Sequence, residues 1–186
     1  MFRIPTIRPC GIAFAALATV LVVDGKASPS DSLEQEVKAA MVYNFTRFIE
    51  WPARAFKDGA SPLVVAVVAD ETAARSMEVA FRGKDYAGRP IVLKRLESTT
   101  GVDGCHVLYL SQPEKRAAED LLKAVAQSPV LTISDLENFP QRGGMIGFVR
   151  VDSRVRFRIN NGVASQAGLT ISSKLLSLSQ NGGERR

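Results

Sequence analysis

The sequence predicts an α/β protein: a three-layer sandwich with a mixed, mostly parallel sheet, helices on both faces and a C-terminal antiparallel hairpin. Three observations carry this. Leu63–Val68 (LVVAVV), Cys105–Leu110 (CHVLYL) and Val130–Ile133 are short apolar runs, the pattern of strands covered on both faces. Segments of helical period separate them. Late in the chain, Met145–Val151 and Val155–Asn160 follow one another in hairpin order. The composition, 186 residues with 46% hydrophobic and 23% charged, is ordinary globular usage and excludes collagen-like, disordered and disulfide-scaffold classes.

The first 27 residues read as an export signal. Arg3 and Arg8 form a short basic region, Cys10–Val23 is an uncharged run of 14 residues, and Gly25 and Ala27 are the small residues of a cleavage site after Ala27. A helix of that length rises about 21 Å, short of the roughly 30 Å hydrocarbon core, so a permanent anchor is not expected. Cleavage would leave a single α/β domain over 28–180 and a flexible polar tail over 181–186. Loss of Arg3, Arg8, Lys26 and Asp24 takes the formal net charge from +5 to +3. Low charge and an exported location argue against nucleic acid as a partner. Only Cys105 would remain of the two cysteines, so no intramolecular disulfide is expected.

Along the domain, Asp31 with Glu34, or Ser32 with Gln35, offers a capping box for a first helix. Val37, Ala40, Met41, Asn44, Phe45, Phe48 and Ile49 form its predicted apolar stripe, and Trp51-Pro52 ends it. Asn44 within that stripe is expected to pin the helix to a neighbouring backbone. Strand Leu63–Val68 leads to a helix over Asp70–Phe81. Gly88-Arg89-Pro90 introduces strand Ile91–Arg95, and Cys105–Leu110 precedes a helix over Pro113–Ala126. Strand Val130–Ile133 ends at Ser134-Asp135, and Asn138–Gly144 is rich in turn residues. After the hairpin, one closing helix is predicted over Val163–Ser179, with a stripe of Ala164, Ala167, Gly168, Ile171, Leu175 and Leu178. A sheet of this kind offers its ligand crevice at the carboxyl ends of its strands, here Ala69-Asp70, Ser111 and Ser134-Asp135.

The hairpin register is expected to follow from its side-chain faces. A three-residue loop, Asp152-Ser153-Arg154, would set Val151 opposite Val155, Val149 opposite Phe157 and Gly147 opposite Ile159, leaving one face wholly apolar. The other face would then hold Phe148, Arg150, Arg156 and Arg158. Such an arginine-and-aromatic surface fits an anionic ligand or a protein partner.

Catalytic patterns are weak. His106 is the only histidine, and Cys105 beside it in a strand must face the opposite way, so the two cannot act as nucleophile and base. No nucleophile elbow, phosphate-binding loop or metal-ligand spacing occurs in the sequence. His106 is expected to be a satisfied core residue. Catalytic residues, metal and cofactor are all predicted to be absent.

Several segments in order carry a resemblance: Lys38–Pro52 (KAAMVYNFTRFIEWP), Cys105–Ser111 (CHVLYLS), Leu131–Asp135 (LTISD), Gly143–Ile146 (GGMI), Arg156–Asn160 (RFRIN) and Ala167–Leu176 (AGLTISSKLL). Together they resemble the YfiR family over most of the chain, from about Glu34 to Leu178. The resemblance implies a compact α/β fold able to form a homodimer. It also implies a periplasmic repressor that binds the periplasmic sensor region of a membrane-bound diguanylate cyclase, so that release raises cyclic di-GMP and favours biofilm. Its best-known members carry further cysteines in disulfides, a point from which this sequence departs. On this reading Phe148, Arg150, Arg156 and Arg158 contact the partner. The alternative is a periplasmic small-molecule sensor without enzymatic activity, its crevice at Ser134 and Asp135.

Overall fold

In the computed structural model, which describes residues 29–96, 101–111 and 115–180, chain order begins with α1 (Pro29–Thr46), β1 (Ile49–Glu50) and a 3-10 turn at Ala53–Ala55. It continues with β2 (Leu63–Val68), α2 (Glu71–Phe81), β3 (Asp85–Tyr86), β4 (Arg89–Arg95), β5 (Val107–Leu110) and α3 (Lys115–Val125). Then follow β6 (Leu131–Ser134), a 3-10 turn at Phe139–Arg142, β7 (Ile146–Val151), β8 (Arg154–Ile159), α4 (Asn161–Gln166), β9 (Thr170–Ile171) and α5 (Ser173–Leu178). The expected leader (1–27) and polar tail (181–186) lie outside the described residues. No helix among the described residues is long and apolar enough to cross a membrane.

The main sheet has the order β3-β4-β2-β5-β6-β7-β8. Its five central strands are parallel, and β3 and β8 add antiparallel edges. Chain direction across the sheet reverses beside β2, the doubly wound arrangement that opens a crevice past the strand ends. Helices cover both faces. On one, Ala39, Val42 and Phe45 of α1 and Ala74, Met77 and Phe81 of α2 pack on Val65, Val67, Val107, Tyr109 and Ile133. On the other, Ala118, Leu121 and Val125 of α3 pack with Phe139 and Cys105 on Ala66, Leu108 and Leu110. Alternate residues of β2 and β5 thus enter two separate cores, which is why these strands read as unbroken apolar runs. The predicted α/β class and mixed, mostly parallel sheet are as observed.

Three local expectations fail for physical reasons. First, α1 starts at Pro29, because proline is preorganised for a first helical turn, so both expected capping-box pairs fall inside the helix. It ends at Thr46, and Ile49–Glu50 instead pair with Thr170–Ile171 as a small antiparallel sheet. Its buried face is Gln35, Lys38, Ala39, Val42, Phe45 and Thr46, whereas Val37, Ala40 and Asn44 of the predicted stripe are exposed. Asn44 pins nothing in the core.

Second, the closing helix breaks at Gly168, which takes φ +80 after α4 and packs against Arg54. That left-handed φ is what calls for glycine here, whereas the Arg54 guanidinium, 2.5 Å from where a Cβ would lie, is the far end of a flexible side chain. The chain then crosses to β1 as β9 before α5 begins at the Ser172 cap. Leu178, placed in the core by periodicity, is exposed.

Third, the hairpin slips by one residue. Val151 opposes Arg154, Val149 opposes Arg156 and Phe148 opposes Phe157, with Asp152-Ser153 as a two-residue loop. Both loop residues have positive φ (48° and 59°), the requirement of the tight turn that matches strand twist. The inner face keeps Phe157 and Ile159 and gains Ile146 and Phe148 opposite them. Phe45 of α1 closes over it, with ring centroids 4.8 Å from Phe157 and 6.0 Å from Phe148.

Candidate functional site

The crevice that the topology provides is largely filled by the protein itself, leaving about 140 Å³ bordered by Glu34, Lys38, Asp135 and Arg150. Asp70 caps α2, its Oδ1 accepting from the Ala73 amide at 2.8 Å. Ser134 is fully buried, and its Oγ accepts from the Leu136 amide at 3.0 Å. Asp135 Oδ2 accepts from Lys38 Nζ at 2.9 Å and from Ser111 Oγ at 3.3 Å. Lys38 Nζ also lies 3.0 Å from Glu34, one helical turn earlier. The Lys38 and Asp135 side chains are only 7% and 8% exposed, so α1 lays its ammonium group directly on the carboxylate at the end of β6. Among the carboxyl-end residues singled out in the sequence, Ser111 and Asp135 are brought together, while Ser134 is turned away into the packing.

Neither His106 nor Cys105 offers chemistry. His106 Nδ1 accepts from the Val64 amide at 3.0 Å, and its Nε2 lies 2.9 Å from the Ala55 carbonyl, which fixes a neutral ring with the proton on Nε2. The ring stacks on Phe56 at 4.5 Å, and the Arg89 guanidinium lies over the Phe56 ring at 4.1 Å. Burial holds the His106 pKa below its ordinary value, against the Ala55 carbonyl that favours the charged form. Trp51 Nε1 donates to the His106 carbonyl at 3.3 Å, so tryptophan and histidine lock β1 to the sheet. Burial pushes the Cys105 thiol up to about 11, far from the range of a reactive thiolate. Among the described residues no cluster of three or more His, Cys, Asp or Glu could hold a metal ion.

The hairpin presents a different surface from the one expected. Phe148 is buried in the core, which removes it from any contact face. Arg150, on the same side of β7 as Phe148, reaches past the core edge to pair with Glu34 of α1. The face opposite the core is formed by Val149, Val151, Arg154, Arg156 and Arg158. Val151 and the three arginines are exposed, and among the described residues no carboxylate pairs with Arg154, Arg156 or Arg158. These arginines lie on β8, the outer strand of the sheet. Unpaired like charges along a sheet edge oppose edge-to-edge association of identical chains while favouring an acidic partner.

Between this hairpin and the first half of α1 runs a groove of about 530 Å³. Leu33, Val37 and Val155 are its apolar residues, and Arg150, Arg154, Arg156 and Glu34 its charged ones. Leu33 is 62% exposed and Val37 41%, unusual for branched apolar residues one turn apart on one helix. Sequence reasoning missed Leu33, Val37 and Arg154. The available signal was that α1 carries apolar residues on two opposite faces.

A family model described as YfiR/HmsC-like matches residues 35–180. The chain belongs to the YfiR/HmsC-like family. The match begins within α1 and ends just beyond α5, so it spans both cores, the closed crevice and the hairpin. The family is one of periplasmic regulators of diguanylate cyclase systems and is regulatory, not catalytic. Comparison with curated proteins gives no match.

Proposed function

We propose that this YfiR/HmsC-like chain acts in the periplasm as a repressor, binding the periplasmic sensor region of an inner-membrane diguanylate cyclase and holding it inactive. Binding, not bond-making, is the activity. The observation that carries the reading is the row of unpaired arginines, Arg154, Arg156 and Arg158, on the exposed outer strand of a protein from a regulatory family. Such a row steers and registers an acidic protein surface, and its charges are not spent on internal pairs.

Repression by contact is linkage. The chain silences a cyclase only if it binds the inactive conformation more tightly than the active one. Moving an equilibrium from 1:99 to 99:1 takes about 5.5 kcal/mol of differential affinity, within reach of a standard interface. Charge reversal at Arg156 and Arg158 is expected to abolish capture of the purified cyclase sensor region, with the melting temperature of the variant unchanged. In cells the same variant is expected to raise cyclic di-GMP. Undiminished capture would overturn the assignment of these arginines, and unchanged cyclic di-GMP on deletion of the whole chain would overturn repression itself.

A further inference from the structure

We infer that the groove between α1 and the hairpin seats an amphipathic helix of the partner, with apolar side chains on its inner face and carboxylates along its flanks. This deepens the repressor reading and rests on it for the identity of the partner. The chemistry is legible from the lining. Leu33 and Val37 stand four residues apart, the spacing at which one helix offers a ridge to another, and Val155 faces them from β8. Further along α1, exposed Ala40 lines the neighbouring groove against α2, so the apolar part of the hairpin groove is confined to Leu33, Val37 and Val155.

Charge selects the occupant. The groove brings three guanidinium-bearing residues, Arg150, Arg154 and Arg156, against one carboxylate, Glu34. The neighbouring groove between α1 and α2 holds Glu36, Glu71 and Arg75 and so has no comparable excess of one sign. A second copy of this chain fits poorly, because a two-fold contact through the groove would set its arginines against their own counterparts. Arg150 adds a link to the fold: a carboxylate arriving in the groove competes with Glu34 for its guanidinium. Glu34 in turn shares Lys38 with Asp135 in the closed crevice. Occupation of the groove therefore reaches the strand ends through a chain of charged contacts.

The test uses the full mature chain and a synthetic helical peptide with leucines on one face and glutamates along its flanks, alongside its lysine-for-glutamate counterpart. Amide shift perturbations are expected to cluster on α1 around Leu33 and Val37 and on β8 around Val155. The lysine peptide is expected to bind at least tenfold more weakly, as is the glutamate peptide to a Leu33→Asp/Val37→Asp variant. No shifts, shifts elsewhere, or equal binding of the two peptides would overturn the groove. The variant is then tested for capture of the cyclase sensor region, where at least a tenfold loss is expected. Capture retained by a variant that no longer holds the peptide would overturn the groove as the cyclase's seat and leave repression standing. Peptide seated in the groove by a chain that captures no cyclase would overturn the repressor reading and leave the ligand chemistry standing. Self-association of the chain alone that the peptide competes away in sedimentation would assign the groove to a second copy and overturn the proposal.

Discussion

Two charged regions of this protein, less than one helix apart along α1, are put to opposite uses. At the carboxyl ends of β5 and β6, Lys38, Asp135 and Ser111 are buried and satisfy one another. On the hairpin, Arg154, Arg156 and Arg158 are exposed and unpaired among the described residues, beside exposed Leu33 and Val37. The first region stands where open α/β sheets hold small ligands, yet it acts as an internal lock between helix and sheet. The second has no topological reason to exist, and its exposure lacks a structural explanation within the chain. The difference teaches that satisfaction of polar groups, more than position in the fold, separates scaffold from contact surface.

The comparison breaks most sharply at Lys38. If the crevice pair is a structural lock, Lys38→Met removes the ammonium that balances the buried Asp135 charge and leaves that carboxylate its neutral contacts such as Ser111, and breaking a buried pair by removing one partner costs about 3–5 kcal/mol. Urea denaturation at neutral pH is expected to show that loss. The double variant Lys38→Met/Asp135→Leu should recover most of it, because two apolar groups leave no buried charge. Loss below about 1 kcal/mol would mean that the pair contributes no more than a surface ion pair, and the contrast drawn here would disappear.

A smaller effect is expected at Gly147, at the base of the hairpin. A Cβ at this position would lie 2.6 Å from Pro140 Cδ, so the Phe139–Arg142 turn lies flat against β7 only because that side chain is missing. Gly147→Ala must displace the turn, at about 1–3 kcal/mol by the cost of overpacking. The expected readouts are a lower melting temperature and faster amide exchange at Ile146 and Phe148. An unshifted melting temperature would show that the turn yields freely and does not brace the hairpin.

The sheet, its strands and most helices were legible because periodicity and apolar runs report burial directly, as in Leu63–Val68 between its two cores. What escaped the sequence depends on tertiary partners. Gly168 reads as an ordinary small residue of a helical stripe until Arg54, distant in sequence, is seen packed against it. The hairpin register departs from expectation because the inner face need not be wholly apolar at its outer end. Arg150 in fact sits opposite Val155 at the inner face's outer end, where Glu34 receives it. The arginine surface was therefore predicted in kind but misdrawn in detail, with Phe148 wrongly outside and Arg154 wrongly in the loop. Lys38 carried no local signal of burial at all.

A pH effect sharpens the same distinction between satisfied and open groups. His106 is neutral and bonded at both ring nitrogens, and its folded pKa lies below its ordinary 6.5. As pH falls through 6.5 the unfolded chain takes up a proton that the folded chain resists, so the unfolded state gains. Stability is expected to be level above about pH 7.5 and to fall as pH drops from 6.5 toward the folded pKa. His106 is the only histidine, so the slope in that window should vanish in His106→Gln even though this variant is weaker overall. A slope that survives the substitution would assign the titration to another group.

The smallest effect on stability is expected where the effect on binding is expected to be largest. Leu33 is 62% exposed, so Leu33→Ser removes only the minor, buried part of its apolar surface. Arg158 is exposed and unpaired, so Arg158→Glu breaks no internal contact. Both variants should stay within about 0.5 kcal/mol of the parent in urea denaturation, the usual range for surface substitutions away from special features. A measurable gain from Leu33→Ser would fit a contact residue held exposed at some cost to solubility. A loss above about 1 kcal/mol would instead show that Leu33 packs within the chain in solution, and the apolar half of the contact surface would then belong to the scaffold.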